Sequence, residues 1–135
     1  MSVDLLILGC GYTGRFLARM ALRQGLSVLV TSRQESVRLS LASEGIQSVP
    51  WHAGEPLPAC AQAIVVLFPP RGLDPEQVAD TIGAHERLVY CSSTSVYGPQ
   101  HGAWVDASTP VAPKSPWAIA RVAAENAFVR HGASI

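Results

Sequence analysis

The chain has no charge to spare. Ten basic residues balance ten acidic ones over 135 positions, and the arginines are scattered rather than striped along one element. Such a surface offers no footprint for a phosphate backbone, which argues against a nucleic-acid partner. Cysteine is equally scarce: Cys10, Cys60 and Cys91 make an odd count without CxxC spacing. That pattern fits reduced thiols rather than a disulfide framework, and all three are expected as small buried hydrophobes. The histidines (His52, His85, His101, His131) stand far apart, with no carboxylate or cysteine at metal-ligand spacing, so no metal is expected. The N-terminal apolar run lacks a basic flank and is too short to span a bilayer or serve as a signal core, so a soluble, cytoplasmic chain without membrane partners is expected.

Apolar content is 48%, enough for one globular domain over residues 1–135 and too little chain for two. "VDLLIL", Val3 to Leu8, is a continuous apolar run ending in glycine, as in a strand buried on both faces. Tyr12 to Gln24 follows as a helix with Phe16, Leu17, Met20 and Ala21 on one stripe and Gly25 closing it. The spacing then predicts strand two in "LSVLVTS", a helix over about Gln34 to Glu44, a short strand at Ile46 to Val49, and strand four in "AIVVLF", Ala63 to Phe68. Asp74 and Pro75 open another helix carrying Val78, Ala79 and Ile82, and "RLVYCS" is strand five. A Gly/Pro/Ser-rich loop leads to Ser115 and Pro116, a hydroxyl N-cap and first-turn proline that start the last helix. Strands alternating with helices imply a doubly wound parallel α/β sheet, a Rossmann fold of about five strands in order 3-2-1-4-5. The final "HGASI" reads as a helix end and the first residues of a sixth strand.

The strongest chemical signal is "LGCGYTG", where Gly9, Gly11 and Gly14 stand in GxGxxG spacing between the first strand and the first helix. In that context Gly9 permits a tight turn, Gly11 admits a pyrophosphate, and Gly14 lets helix and strand pack closely. The helix start supplies free N–H groups, so Cys10, Tyr12 and Thr13 join the candidate cofactor loop. At the end of strand two, where NAD-binding chains place an acid on the adenosine ribose, stands "TSR" with Ser32 and Arg33 and no carboxylate before Glu35. A guanidinium there suits a 2′-phosphate, so NADP is favoured, with NAD the alternative. Phe68 and Pro69, at the carboxyl end of strand four, complete the candidate path of the dinucleotide.

"YCSSTSVYG", Tyr90 to Gly98, and "PKSPWAIARVAAEN" add a family pattern. Together with the glycine loop and "TSR", they resemble the NAD(P)-dependent epimerase/dehydratase family, the extended and atypical short-chain dehydrogenase/reductases. Ser92, Ser93, Val96, Tyr97, Gly98, Pro113, Ser115, Pro116 and Glu125 match its motifs. The resemblance implies a nicotinamide cofactor, Ser93 at the catalytic Ser/Thr position, and Ser92 and Arg121 near the cofactor. It also implies an oxidoreductase or epimerase whose substrate region follows the sixth strand, so this chain is expected to be a fragment or a reduced form.

The resemblance fails at two positions. Where the family has its proton-transferring tyrosine and supporting lysine, this chain has Trp117 and Arg121. An indole has no accessible ionisation, and arginine does not give up its proton. Trp117 is therefore expected as an apolar packing anchor, and Arg121 as a partner of Glu125 one turn on. Two functions stay open: an atypical enzyme using Ser93 with Tyr97 or Asp106 as substitute acid/base, and a catalytically silent NADP-binding module. A homodimer is expected through the edge of strand five or through an apolar stripe on the last helix, Ile119, Val122, Ala123 and Ala127.

Overall fold

In the computed structural model, which describes residues 1–83, 85 and 87–135, strands and helices alternate along the chain. They are β1 (Ser2–Leu8), α1 (Tyr12–Arg23), β2 (Val28–Thr31), α2 (Glu35–Ser43), β3 (Ser48–Val49), β4 (Cys60–Val66), α3 (Pro75–Ile82), β5 (Arg87–Tyr90) and α4 (Pro116–Arg130). One parallel sheet holds the strands in the order β3-β2-β1-β4-β5. The doubly wound parallel sheet expected from the alternation is therefore present.

The central strand explains why. Along β1, Leu5 and Ile7 enter one apolar cluster with Ala18, Ala21, Val28, Val30 and Leu41, while Leu6 and Leu8 enter the other with Ile64, Val66, Val78, Ala79 and Phe128. Side chains alternate across a strand, so an unbroken apolar run gives both faces something to bury. α1 and α2 cover the first face, and α3 and α4 the second.

Several expected details differ. On α1 the buried residues are Gly14, Ala18 and Ala21, whereas Phe16 and Met20 are exposed. Gly14 brings the helix too close to the sheet for large side chains, so small residues take the inner face. β4 begins three positions earlier than its apolar run, because Cys60 already pairs with Ser2 and its N–H donates to the Met1 carbonyl at 3.1 Å. Apolarity marked only the buried half of that ladder. Cys60 and Cys91 are exposed and Cys10 is half-buried, so the expectation of three buried thiols fails. Cys60 lies in the polar start of β4 and Cys91 just past the end of β5, outside both clusters.

On α4 the inner face is Ala118, Ala124, Ala127 and Phe128. Phe128 stacks on Tyr90 at 4.7 Å between ring centroids, and this contact sets the helix phase. Ala127 thus belongs to the core, while Ile119 and Ala123 face solvent and Val122 is half-buried. The edge of β5 is partly occupied as well. Ser134 bridges Val89 in parallel, and Tyr90 N–H donates to the Ser134 carbonyl at 2.9 Å, so the residues expected to begin a sixth strand make one isolated bridge to that edge. Among the described residues no helix is long and apolar enough to cross a membrane.

Candidate functional site

β1 ends in a glycine turn in which the fold itself requires two of the three glycines to lack a side chain. Gly9 has φ +98°, in the region that favours glycine, and a Cβ there would lie 3.3 Å from the Phe68 backbone nitrogen. Gly14 is closer still: its Cβ would sit 2.7 Å from the Gly9 carbonyl oxygen and 3.1 Å from Leu67 Cδ1. At Gly11 a Cβ would meet nothing within 4 Å. Gly9 and Gly14 are thus demanded by packing, whereas Gly11 faces open space at the start of α1.

That start is not closed by the protein itself. Gly11 occupies the N-cap without a side-chain cap bond, and no acidic residue lies in the first turn. Free N–H groups beside an open glycine are the local geometry that accepts an anion. The loop is buttressed from β2, where the buried Thr31 hydroxyl accepts the Gly9 N–H at 3.0 Å. Nothing in the sequence assigned Thr31 this role, although it sits in "TSR". Cys10, half-buried in the same turn, has its thiol pKa pushed up by desolvation, which outweighs the attraction of Arg15. Tyr12 and Thr13 are exposed on the rim.

The end of β2 carries the next candidates. Arg33 is exposed and its guanidinium has no hydrogen-bond partner among the described residues, while Ser32 is half-buried. Arg38 holds the turn in shape by donating from Nη1 to the Ser32 carbonyl at 2.9 Å and the Arg33 carbonyl at 3.1 Å. Across the sheet, Phe68 is half-buried and tilted against Trp51 at 6.0 Å, and Pro69 is exposed beside it.

Beyond the carboxyl ends of β4 and β5 lies a cleft of about 330 Å³. Its walls are the loop from Pro69 to Gly72, Ser93 and Ser95, and the first turns of α4 with Trp117 and Arg121. Ser93 caps a short 3₁₀ turn (Thr94–Tyr97), its Oγ accepting the Ser95 N–H at 3.2 Å and lying 3.0 Å from Ser95 Oγ. Ser92 turns the other way and donates its hydroxyl to Glu125 on α4. That leaves Ser93 as the hydroxyl available to the cleft from the Ser92–Ser93 pair.

The two substituted positions behave differently from expectation. Trp117 is 68% exposed, so it is no packing anchor; the Arg71 guanidinium lies over its ring, 5.9 Å from the centroid. Ser115 and Pro116 place it in the first turn of α4, at the mouth of the cleft rather than against the sheet. Arg121 does not pair with Glu125. Its Nη1 donates to Tyr90 Oη at 2.9 Å and to the Cys91 carbonyl at 3.2 Å, because α4 lies across the end of β5. Burial pushes the Tyr90 phenol up, and Arg121 offsets part of that rise.

Tyr97 and Asp106 are not among the residues lining the cleft. The Tyr97 carbonyl accepts from Gln100 Nε2 at 2.8 Å. The Asp106 carboxylate accepts from Ser108 Oγ at 2.6 Å and from its N–H at 2.9 Å, bonds that hold its pKa below the usual value. The glycine of "VYG" has a plain structural cause: at φ +67°, a Cβ on Gly98 would lie 2.3 Å from the Ala112 carbonyl, where the long loop crosses back.

A parallel sheet with a glycine turn at the first helix start and a cleft past the carboxyl ends of the strands defines a Rossmann-type doubly wound fold. Residues 76–134 match the model of the NAD dependent epimerase/dehydratase family, which bears out the resemblance over the stretch that holds "YCSSTSVYG" and "PKSPWAIARVAAEN". A conserved protein of unknown function from Silicibacter pomeroyi superposes with a TM-score of 0.76 at 29% identity, over 96% of this chain and 49% of its own. A short-chain dehydrogenase/reductase superfamily protein from Agrobacterium tumefaciens, solved with bound NAD, gives 0.75 at 19% identity, over 95% of this chain and 44% of its own. The Bordetella bronchiseptica enzyme WbmG, in complex with NAD and UDP, gives 0.71 at 17% identity, over 96% of this chain and 50% of its own. The chain therefore spans about half the length of these structures. No curated protein sequence matches it.

Proposed function

We propose that this chain is the nicotinamide-dinucleotide-binding part of an epimerase/dehydratase-type protein, an atypical short-chain dehydrogenase/reductase, and that it prefers NADP to NAD. The observation that carries the reading is the open space at Gly11 in front of the uncapped α1, between two glycines that packing requires. The backbone from Gly9 to Gly14, with Cys10, Tyr12 and Thr13, would hold the pyrophosphate. Ser32 and the unpartnered Arg33 guanidinium would hold a ribose 2′-phosphate, with Arg38 keeping their turn in place. Phe68, Pro69 and Ser92 border the path from there to the cleft. Two neighbours that carry NAD support a nicotinamide dinucleotide, and the arginine in place of an acid favours the phosphorylated form here.

When bound, the dinucleotide supplies hydride chemistry. Of this chain's own groups, the Ser93 hydroxyl is positioned to hold a carbonyl or hydroxyl of the substrate. Calorimetry with NADP and NAD tests the reading: wild type should favour NADP, Gly11→Val should bind neither, and Arg33→Asp should lose roughly ten- to a hundredfold in NADP affinity with little change for NAD. Equal affinity of wild type for both cofactors would remove the Arg33 assignment.

A second reading, a silent NADP-binding module, is favoured by Trp117 and Arg121, since neither can pass a proton. NADPH oxidation over a panel of aldehydes, ketones and sugar nucleotides separates the two. Turnover that falls in Ser93→Ala supports the enzyme, and NADP binding without any turnover supports the module. The exposed Ile119 and Val129 on the outer face of α4 support self-association there, which sedimentation at micromolar concentration would detect.

A further inference from the structure

The cleft carries one cation more than the family pattern explains: Arg121 stands at the position of the family's lysine, whereas Arg71 belongs to none of the matching motifs. Two guanidiniums, Arg71 and Arg121, line it together with the hydroxyls of Ser93 and Ser95, and no acidic side chain is among its described lining residues. Neither arginine is neutralised, for no carboxylate lies within ion-pair distance of either among the described residues. Unpaired cations gathered in a concave, partly desolvated site raise the local concentration of anions.

Both guanidiniums are also held. Arg121 spends Nη1 on Tyr90 Oη and the Cys91 carbonyl, which leaves its Nε–Nη2 edge without an acceptor. That edge is the one a planar oxyanion engages with two parallel bonds. Arg71 is oriented by the exposed indole of Trp117, 5.9 Å below its Cζ. Trp117 also brings its own indole N–H, which has no partner among the described residues.

We infer that the cleft is an oxyanion-recognition site, and that the substrate of this protein carries a carboxylate or phosphate read by Arg71 and Arg121. Trp117 is then a positioning residue: where an ordinary member would keep a proton donor, this chain keeps a platform that aims a cation. Ser93 and Ser95 add hydroxyl donors to the same cleft. The site itself stands on these contacts alone. Assigning its anion to the substrate, rather than to the cofactor's own phosphates, rests on the proposed dinucleotide reading.

The test is a titration of the 135-residue chain with inorganic phosphate and with malonate at constant ionic strength. Binding is followed by NMR at the Trp117 indole and the Ser93 and Ser95 amides. Both probes should bind, and Arg71→Gln should weaken them about tenfold, the loss expected for one charge-assisted contact. Trp117→Leu should weaken them as well, Trp117→Phe should restore binding by keeping the platform, and Arg23→Gln, on the far end of α1, should change nothing. Arg71 and Trp117 are both exposed, so these variants should melt like wild type. With NADP saturating, phosphate should still bind, and Arg71→Gln should leave NADP affinity unchanged.

Phosphate binding indifferent to Arg71→Gln would overturn the site. Displacement of phosphate by NADP, or an equal loss of NADP affinity in Arg71→Gln, would give the anion to the cofactor and overturn the substrate assignment. Arg71-dependent phosphate binding in a chain that binds no dinucleotide would uphold the site and sink the proposed function instead.

Discussion

A single methyl group placed at Gly14 or at Gly11 should produce opposite phenotypes from neighbouring positions in one motif. At Gly14 the methyl would come 2.7 Å from the Gly9 carbonyl oxygen, 3.1 Å from Leu67 Cδ1 and 3.4 Å from Ile7 Cγ2. The nearest atom is backbone, so the strain cannot be relieved by turning a side chain. Overpacking of this kind costs about 1–3 kcal/mol, and replacing glycine by alanine inside a helix returns a little under about 1 kcal/mol. The net loss is about 0–2 kcal/mol, and the backbone contact places it toward the upper end, which for a domain of this size lowers Tm by up to roughly 10 °C. At Gly11 the methyl meets nothing within 4 Å. The poorer N-cap and the stiffer unfolded chain nearly cancel, so stability should move by less than about 0.5 kcal/mol. NADP affinity of Gly11→Ala should nevertheless fall about tenfold or more, because the methyl fills the approach to the pyrophosphate. Thermal melts and calorimetry on both variants check the pair. A Gly14→Ala protein that melts with wild type, or a Gly11→Ala protein that is the less stable of the two, would refute the packing argument.

Thr31→Val should cost about 1–3 kcal/mol in urea unfolding and weaken NADP binding, because the Gly9 N–H loses its acceptor; Thr31→Ser should keep most of both. Burial raises the Tyr90 pKa above its ordinary 10.0, so the unfolded chain ionises first as pH rises. Stability from this group should therefore be intact below pH ~10 and decline as pH climbs toward the raised value, a slope that Tyr90→Phe should remove in denaturation measured from neutral to alkaline pH. Cys60 and Cys91 should react with a thiol reagent well before Cys10, whose partly buried thiol resists ionisation; equal rates for all three would contradict the exposures described.

Local chemistry made the architecture readable in advance. The runs in β1 and β4, the Asp74 and Ser115 caps, and the glycines closing α1 and α2 act over a few neighbouring residues, so their consequences can be read along the chain. The glycine turn belongs with them: strand, turn and helix start are contiguous, and the motif carries its own geometry. Contacts between residues far apart in sequence left no such trace. The Thr31 buttress under Gly9, the Arg71 guanidinium over Trp117 and the Tyr90 anchor of Arg121 exist because parallel crossovers bring the carboxyl ends of β1, β2, β4 and β5 to one edge. The same holds for the phase of α4. Its turn-by-turn pattern suits more than one inner face, and the stack of Phe128 on Tyr90 selects the one that buries Ala127 and leaves Ile119 and Trp117 in solvent. Spacing along a helix shows which residues share a face, and packing against the sheet decides which face is turned inward.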